Sequence, residues 1–504
     1  MDDKQDKAGP GTLPGLRGDR RAVLGKGAAA IGAVMAAPLL NAVSARAAGG
    51  RIGTAARPFT VCGAGEFMSS RRLNGTAAPF RAVVGRMQKA DLTYAHCEMN
   101  FGTPQELPYT PRGTAGVASY MNADPVIVKD LADIGIDAMS LAMNHSFDWG
   151  AAGLESTARH MADNGIAHAG TGRNLMAARQ PAFFDVDGMR CSLVSAASGN
   201  NAYEWAGLPL GDIDGRPGVN PIRVRTRYVV DKASAAELKR IGKGLGVLND
   251  KAAARSTFNI TPGGGAGGTG TADFAFEEGD AFAIRSMAHP GDVEANVRAV
   301  QWARSMSDFV MFAHHNSTSE GSRGTGPSGF AVDVAHAVID AGADVFWGHG
   351  WHVFLGIEIY KGKPIVYGMG NFVYGNVHLT RIPADSFESY GKDLNNLGAL
   401  TPQGDMHPGG GAEDWSWTAL YEMDWVGGRL RQIRLYPVEL GMDFTGGKGV
   451  INRAVGGDGI IDGTPYLATG ANAQAILRRL QERNAMRGTA MTIRGDVGII
   501  DVPA

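Results

Sequence analysis

A short apolar run, Ala138 to Met143, stops abruptly at Asn144-His145 and is followed by Asp148 and a helix-like segment. A run of that length, bounded by polar residues, reads as a buried strand. Similar strands alternate with helices along much of the chain. Pro58 to Cys62 ends at Gly65-Glu66, and Asp91 to His96 ends at Glu98. Asp124-Pro125 opens a helix with a capping side chain and a proline at the first helical position. Ile127, Leu131 and Ile134 follow at helical spacing, and Gly135 terminates it. A helix over 151–164 comes next, then strands near Ile166–Ala169, Phe183–Val186 and Arg190–Ser195. Further on come a helix near Val293–Ser307, a strand near Phe309–Ala313, a helix at Ala331–Ala341 and a strand at Val345–Trp347. A hairpin turns at Lys361-Gly362-Lys363, and two closing strands meet at Gly427-Gly428. This alternation predicts a layered α/β fold.

Two stretches break the pattern. Residues 199–290 read as a loop-rich insertion with a flexible tip at Gly263–Gly270, and 376–414 as a second polar, Gly-rich excursion. The principal domain is expected over 58–445, with 446–504 as a C-terminal extension packing on it. At the other end, Arg20-Arg21 precedes an uncharged stretch from Gly27 to Val43 and then Ala45-Arg46-Ala47. Residues 1–47 thus resemble a twin-arginine signal peptide, too short in its apolar part for the ~20 residues of a spanning helix. The expectation is export by the twin-arginine machinery to the periplasm or beyond. No later segment is long and apolar enough to span a bilayer. A net charge of −2 argues against a broad nucleic-acid footprint. Three cysteines imply no disulfide framework.

Polar clusters stand at or just past the strand ends: Glu66, His96 with Glu98, Asn144-His145, His314-His315, His349 and His352. The chain has 12 histidines, and six of them fall in these positions. In open α/β sheets, ligands bind beyond the carboxyl ends of strands. Imidazoles and carboxylates together suit borderline divalent metals. A metal pair can hold phosphate oxygens and make hydroxide available near neutral pH. His160, His168, His289 and His336 lack such company and read as structural.

These clusters occur in the order and context of the CapA-type poly-gamma-glutamate capsule biosynthesis proteins, a branch of the calcineurin-like metallophosphoesterases, which the chain resembles. The carrying motifs are Gly65-Glu66-Phe67-Met68, Asp91-Leu92 with His96-Cys97-Glu98, Asn144-His145-Ser146-Phe147-Asp148-Trp149-Gly150, His314-His315-Asn316, Gly348-His349-Gly350-Trp351-His352 and Gly370-Asn371-Phe372. Glu66 stands where the family has Asp, His96 where it has Asn, and His315 where it has an aromatic residue.

The resemblance implies a four-layer α/β/β/α metallophosphoesterase-like sandwich holding two divalent transition metals (Mn, Fe or Zn). It implies Glu66, Glu98, Asn144, His314, His349 and His352 as ligands. His314 is preferred over His315 by spacing. His145 would protonate the leaving group and Asp148 would orient it, although Asp148 could equally cap the next helix. Arg71 or Arg72 could clamp an anion or form a solvated surface pair, and Arg216 could reach the substrate or simply belong to a turn. The implied activity is hydrolysis of a phosphate ester or anionic polymer by metal-activated hydroxide, linked to capsule synthesis. Two alternatives stay open: an amide-bond hydrolase or transferase on a poly-gamma-glutamate-like polymer, and a non-catalytic polymer-binding or assembly factor.

Overall fold

The computed structural model describes residues 58–73, 78–110, 120–260, 274–318, 320, 326–375, 379, 381–389, 415–441 and 463–503. Residues 1–47, expected to form a signal peptide, the Gly263–Gly270 tip and most of the second excursion lie outside them.

Two sheets dominate. In a ten-stranded sheet, Phe59–Ser69 pairs in parallel with Leu92–Cys97 and Asn371–Gly375, and antiparallel with Trp417–Val426. Leu92–Cys97 continues in parallel to Ala138–Ser140 and then Ala167–Ala169. In a six-stranded sheet, Met189–Ser198, Phe309–Asn316, Val345–His349 and Lys363–Val366 run parallel as neighbours. Ala182–Val186 and Ile357–Tyr360 close its edges antiparallel.

Alternation along each strand sorts side chains into layers. Val61, Leu92, Tyr94 and Ala138 of the large sheet share a core with Leu193, Met311, Val345 and Trp347 of the smaller one. The opposite faces carry Cys62, Ala95 and Met139, and Val194, Phe312 and Phe346. These pack with helix residues Val83, Met87, Ile127 and Leu131, and with Val300, Ala303, Val334 and Val338. The result is helix, sheet, sheet, helix. Trp347, fully buried, stacks on Tyr94 with ring centroids 5.4 Å apart. A Cβ on Gly63 would sit 2.6 Å from the Trp347 ring, so the glycine makes room for the indole. Truncating Trp347 to alanine is expected to cost about 3–5 kcal/mol.

The first excursion corrects the expectation of a loop-rich insertion. Val224–Val230, Thr257–Ile260, Phe274–Glu278 and Ala283–Ala288 form a four-stranded sheet. Helices Lys232–Gly244 and Asp250–Ala253 accompany it, around a small core of Val230, Ala235, Leu248 and Phe258. Asp231 caps the longer helix by accepting from the Ser234 N–H at 2.7 Å. These strands are only half covered. Val224-Arg-Thr-Arg-Tyr-Val-Val therefore offers no continuous apolar run to reveal it.

Residues 463–503 continue the large sheet and its core. Val497–Asp501 pairs with Arg429–Glu439, and Thr492–Arg494 with Val497–Asp501. Helix Gly470–Ala485 turns Ala473, Ile476, Leu477 and Leu480 into the layer that holds Trp347. No helix among the described residues is long and apolar enough to cross a membrane.

Candidate metal centre

The parallel strands of both sheets bring their carboxyl ends to one place. Register sets Glu66 beside His96 and Asn371, and His315 beside His349. The ladder shifts on both sides of Glu66, between Gly63 and Glu66 and between Glu66 and Phe67. Such irregularities re-aim a side chain at a strand end. A Cβ on Gly65 would meet the Gly370 carbonyl oxygen at 2.0 Å, so only glycine allows this close approach. The neighbouring Glu66 N–H donates to that oxygen at 2.9 Å.

Glu66 and Glu98 are buried, with no arginine or lysine paired to either among the ion pairs of the described residues. Glu66 Oε1 accepts from the Gly350 N–H at 2.7 Å. His352 Nδ1 lies 2.9 Å from Glu66 Oε2 and 3.6 Å from Glu98 Oε2. Ligand atoms of Glu66, Glu98 and His352 all fall within 4.8 Å of one another. His315 Nε2 approaches Glu98 Oε1 from the other sheet at 4.0 Å.

His352 has a φ of 59°, left-handed backbone that a non-glycine residue seldom adopts. Its surroundings over-determine it. Nδ1 meets Asn371 Oδ1 at 2.9 Å, the Asn371 amide donates back to the His352 carbonyl at 3.3 Å, and Trp415 packs on the ring at 4.5 Å. With the Nδ1 proton directed at Asn371, the equally near Glu66 Oε2 is left without a hydrogen bond. Strain of this kind, worth about 1–3 kcal/mol, concentrates at functional sites.

The protonation states follow from burial and neighbours. Burial pushes the His96, His314, His315 and His349 imidazoles down, His314 and His349 to about 3, so each is neutral with one nitrogen lone pair. Burial and the adjacent Glu66 carboxylate push Glu98 well up. For Glu66 burial acts in the same direction, but the charge of the adjacent His352 outweighs it and holds the group low.

Five buried polar atoms in these motifs have no hydrogen-bond partner: Glu66 Oε2, Glu98 Oε2, Asn144 Oδ1, His315 Nε2 and His349 Nδ1. Each buried, unmatched group costs about 1–3 kcal/mol, and native folds rarely tolerate several together. Two carboxylate oxygens, an amide oxygen and two imidazole nitrogens make a donor set that suits a borderline divalent cation.

His145 stands beside Asn144 with a different role. Its Nδ1 contacts Asp148 Oδ2 at 2.7 Å, and the same oxygen accepts from the Met121 N–H at 2.8 Å. Burial would lower His145, but the Asp148 carboxylate, with Glu204 and Glu66 beyond it, raises it instead. At Asp148 burial outweighs the imidazolium and moves that carboxyl up. Asp148 does not cap helix Gly150–Asp163, whose N-cap is Trp149 with no side-chain bond.

Three expectations are corrected. His314 does not face the cluster. Adjacent strand residues point to opposite sides, and its Nε2 meets Ser198 Oγ at 2.8 Å with the ring edge against Phe330 and Phe346. His315 takes its place. Arg72 is committed to Asp130, donating from Nε at 2.6 Å and Nη2 at 2.7 Å. Arg216 closes its own loop, donating to the Trp205 and Ala202 carbonyls at 2.9 and 3.2 Å. Arg71 lies in the turn after the first strand, where its N–H donates to Ser69 Oγ at 3.1 Å.

Tyr94, Ser140, Asn371 and Trp415 complete the surroundings without having been singled out. Asn371 sat inside a quoted motif, Gly370-Asn371-Phe372, and could have been found there. Tyr94, two residues before His96 on the same strand face, had only period-two spacing to mark it.

A two-sheet α/β sandwich with carboxylate, amide and imidazole groups gathered at the strand ends defines the class. The chain belongs to the bacterial capsule synthesis protein family PGA_cap, whose sequence model matches residues 28–376. It is 31% identical over 456 residues to an uncharacterized protein of Sinorhizobium fredii, covering 88% of this chain and 93% of that protein. It is 30% identical over 236 residues to a Mycobacterium tuberculosis protein named "Probable polyglutamine synthesis accessory protein", covering 46% of this chain and 44% of that one. Among solved structures, a hypothetical protein from Thermus thermophilus is similar over 81% of this chain and 98% of its own, at 13% identity and a TM-score of 0.30.

Proposed function

We propose that the protein is a metal-dependent hydrolase of a phosphate ester or related anionic polymer, exported through its twin-arginine segment and serving capsule or poly-gamma-glutamate synthesis. The observation that carries this reading is the gathering of Glu66, Glu98 and His352, whose candidate ligand atoms lie within 4.8 Å of one another, with His315 approaching Glu98 from the other sheet. Glu66, Glu98, Asn144, His315, His349 and His352 would hold a divalent pair. Bound there, the metals would lower the pKa of water and offset charge on the substrate's oxygens.

The chain's own residues supply the rest. The inter-sheet layer and the Trp415 ring keep bulk water from the buried side of the cluster, which strengthens every charge interaction in it. Asp148 occupies His145 Nδ1, so Nε2 is the atom that carries a proton to the leaving oxygen. The raised His145 keeps that proton available near neutral pH. Family membership supports the link to capsule polymers.

The test is elemental analysis of native protein, paired with assays on an aryl phosphate ester and on poly-gamma-glutamate. One to two transition-metal equivalents and phosphate release are expected. Release of glutamate oligomers instead would move the reading to amide-bond cleavage. A well-folded, metal-free preparation inert on both substrates would leave only a binding or assembly role.

A further inference from the structure

The two imidazoles whose cluster-facing nitrogens lack partners are joined behind the site by an unbroken chain of contacts. His349 Nε2 meets Tyr94 Oη at 2.8 Å, and Tyr94 Oη meets Ser140 Oγ at 2.7 Å. Ser140 Oγ meets His96 Nδ1 at 2.6 Å, and His96 Nε2 meets His315 Nδ1 at 2.9 Å. Tyr94, Ser140, His96, His315 and His349 are all essentially sealed from solvent. The rings are also stacked, His96 on His349 at 4.3 Å and on His315 at 4.9 Å, so none can turn away without disturbing its neighbour.

A count of hydrogens limits what this chain can do. There are four links, and each takes one hydrogen. Tyr94, Ser140 and a neutral His96 bring one each, so the fourth comes from one end. If His349 donates from Nε2, every hydrogen points toward His315, whose Nδ1 then accepts and whose own hydrogen sits on Nε2. If His315 donates from Nδ1, the direction reverses and His349 carries its hydrogen on Nδ1. If both ends donate inward, five hydrogens compete for four links, and one is stranded in a dry interior.

We propose that Tyr94, Ser140 and His96 are positioning residues that allow one of His315 and His349, but not readily both, to offer a lone pair to the metal site. This rests on the metal-centre reading above. A histidine's far nitrogen commonly fixes which tautomer meets the metal. Here one relay fixes two histidines in opposite senses. His96, which replaces the family's asparagine, carries the relay across to His315 on the smaller sheet, as Tyr94 carries it across to His349. Recruiting the second imidazole leaves one buried hydroxyl or imidazole hydrogen without an acceptor, which would demand about 10- to 100-fold more free metal.

The experiment is ¹⁵N-histidine NMR on the full chain, first metal-free and then titrated with Zn²⁺ alone. In the metal-free protein, one of His315 Nε2 and His349 Nδ1 should be protonated and the other bare. The bare nitrogen should take the coordination shift first, with the second following only at 10-fold or higher free Zn²⁺. Ser140→Ala removes one hydrogen but two of the four links, so each end then strands a hydrogen of its own and neither depends on the other; both nitrogens should shift together, at the higher free Zn²⁺ that only the second one needs in the wild type. Tyr94→Phe, a near-isosteric break at a different link, should do the same, and thermal melts report whether each variant folds. Simultaneous coordination in the wild type, or a stagger that survives both variants, overturns the relay while leaving the metal centre standing. No shift at either histidine in any of the three proteins overturns the metal reading and the relay with it.

Discussion

Asp292 and the Glu66–Glu98 pair are all buried carboxylates, yet they are treated in opposite ways. Asp292 lies in helix Pro290–Met306, where every oxygen is answered from within the chain. Oδ2 accepts from Arg223 Nε at 2.7 Å and its backbone N–H at 3.0 Å. Oδ1 accepts from Arg223 Nη2 at 2.8 Å and Arg179 Nη2 at 3.1 Å. The cluster ties the approach to the inserted sheet onto the main sandwich. Burial would raise Asp292, but the Arg223 bonds overcome it and hold the carboxyl low. Glu98 has no such cation and is pushed up by burial and by Glu66. A buried carboxyl matched from inside the fold is architecture; one pushed up beside neutral imidazoles is the kind of group the proposed metal would match.

The most severe way to test the second half of that contrast is His145→Ala. The side chain is held by Asp148 and would deliver the proton, so kcat should fall about 10²–10⁴-fold. Metal content by elemental analysis and the thermal midpoint should stay near wild type. Loss of metal together with activity would show His145 to be a ligand-shell residue instead of an acid.

Next come the two carboxylates, compared by pH. A carboxyl held low in the folded state stabilises it above its unfolded pKa of about 3.9 and loses that contribution as pH falls through the folded value. Asp292→Asn should therefore cost about 3 kcal/mol at neutral pH, with the difference from wild type closing in acid. Glu98 runs the other way in chelator-treated protein. Its raised folded pKa means a contribution that is complete below about 4.3 and vanishes as pH rises through the folded value. Glu98→Gln should accordingly gain on wild type as pH increases, by about 1–2 kcal/mol, while losing metal and turnover. Urea melts across pH 4–8 decide it; parallel curves for the two variants would remove the distinction between matched and unmatched acids.

How much of this could be read from the chain depends on what each residue's neighbours reveal. The layered fold was legible because its central strands are continuous apolar runs ending in polar stops, as at Ala138 to Asn144. The inserted sheet was not, because half-exposed strands such as Val224–Val230 alternate with arginines and resemble loop. At the site, the strand-end motifs named most of the groups that converge. Choosing between His314 and His315 needed strand phase, which a run of buried residues on both sides conceals. The engagement of Arg72 is not legible in sequence because Asp130, which holds it, lies on a helix 58 residues away. Tyr94 and Ser140 are ordinary core positions in sequence and acquire meaning only when His96 and His349 stack beside them.

The His314–His315 pair gives a milder comparison on a single strand. His314→Phe removes the bond to Ser198 and adds bulk beside Phe330 and Phe346, at a cost of about 1–2 kcal/mol. It should leave metal stoichiometry unchanged. His315→Ala should lower metal occupancy measured by elemental analysis. The reverse result would restore His314 as the ligand and require the strand to be rotated.

The smallest effect is expected at Arg216, and it matters because an exposed arginine invites a role in binding the anionic substrate proposed above. Its guanidinium is already spent on two carbonyls of its own loop, Trp205 and Ala202, and the side chain is exposed. Contacts of that kind hold a turn and contribute within about 0.5 kcal/mol. Arg216→Ala should move KM for an anionic substrate by less than about twofold, with kcat and salt dependence unchanged. A clamp on a phosphate or carboxylate would behave differently: a charge-assisted bond is worth about 1.5–3 kcal/mol, so its loss would raise KM at least tenfold and flatten the response to ionic strength. Steady-state kinetics at two salt concentrations separates the two, and a tenfold change would place Arg216 with the cluster instead of with the scaffold that Asp292 exemplifies.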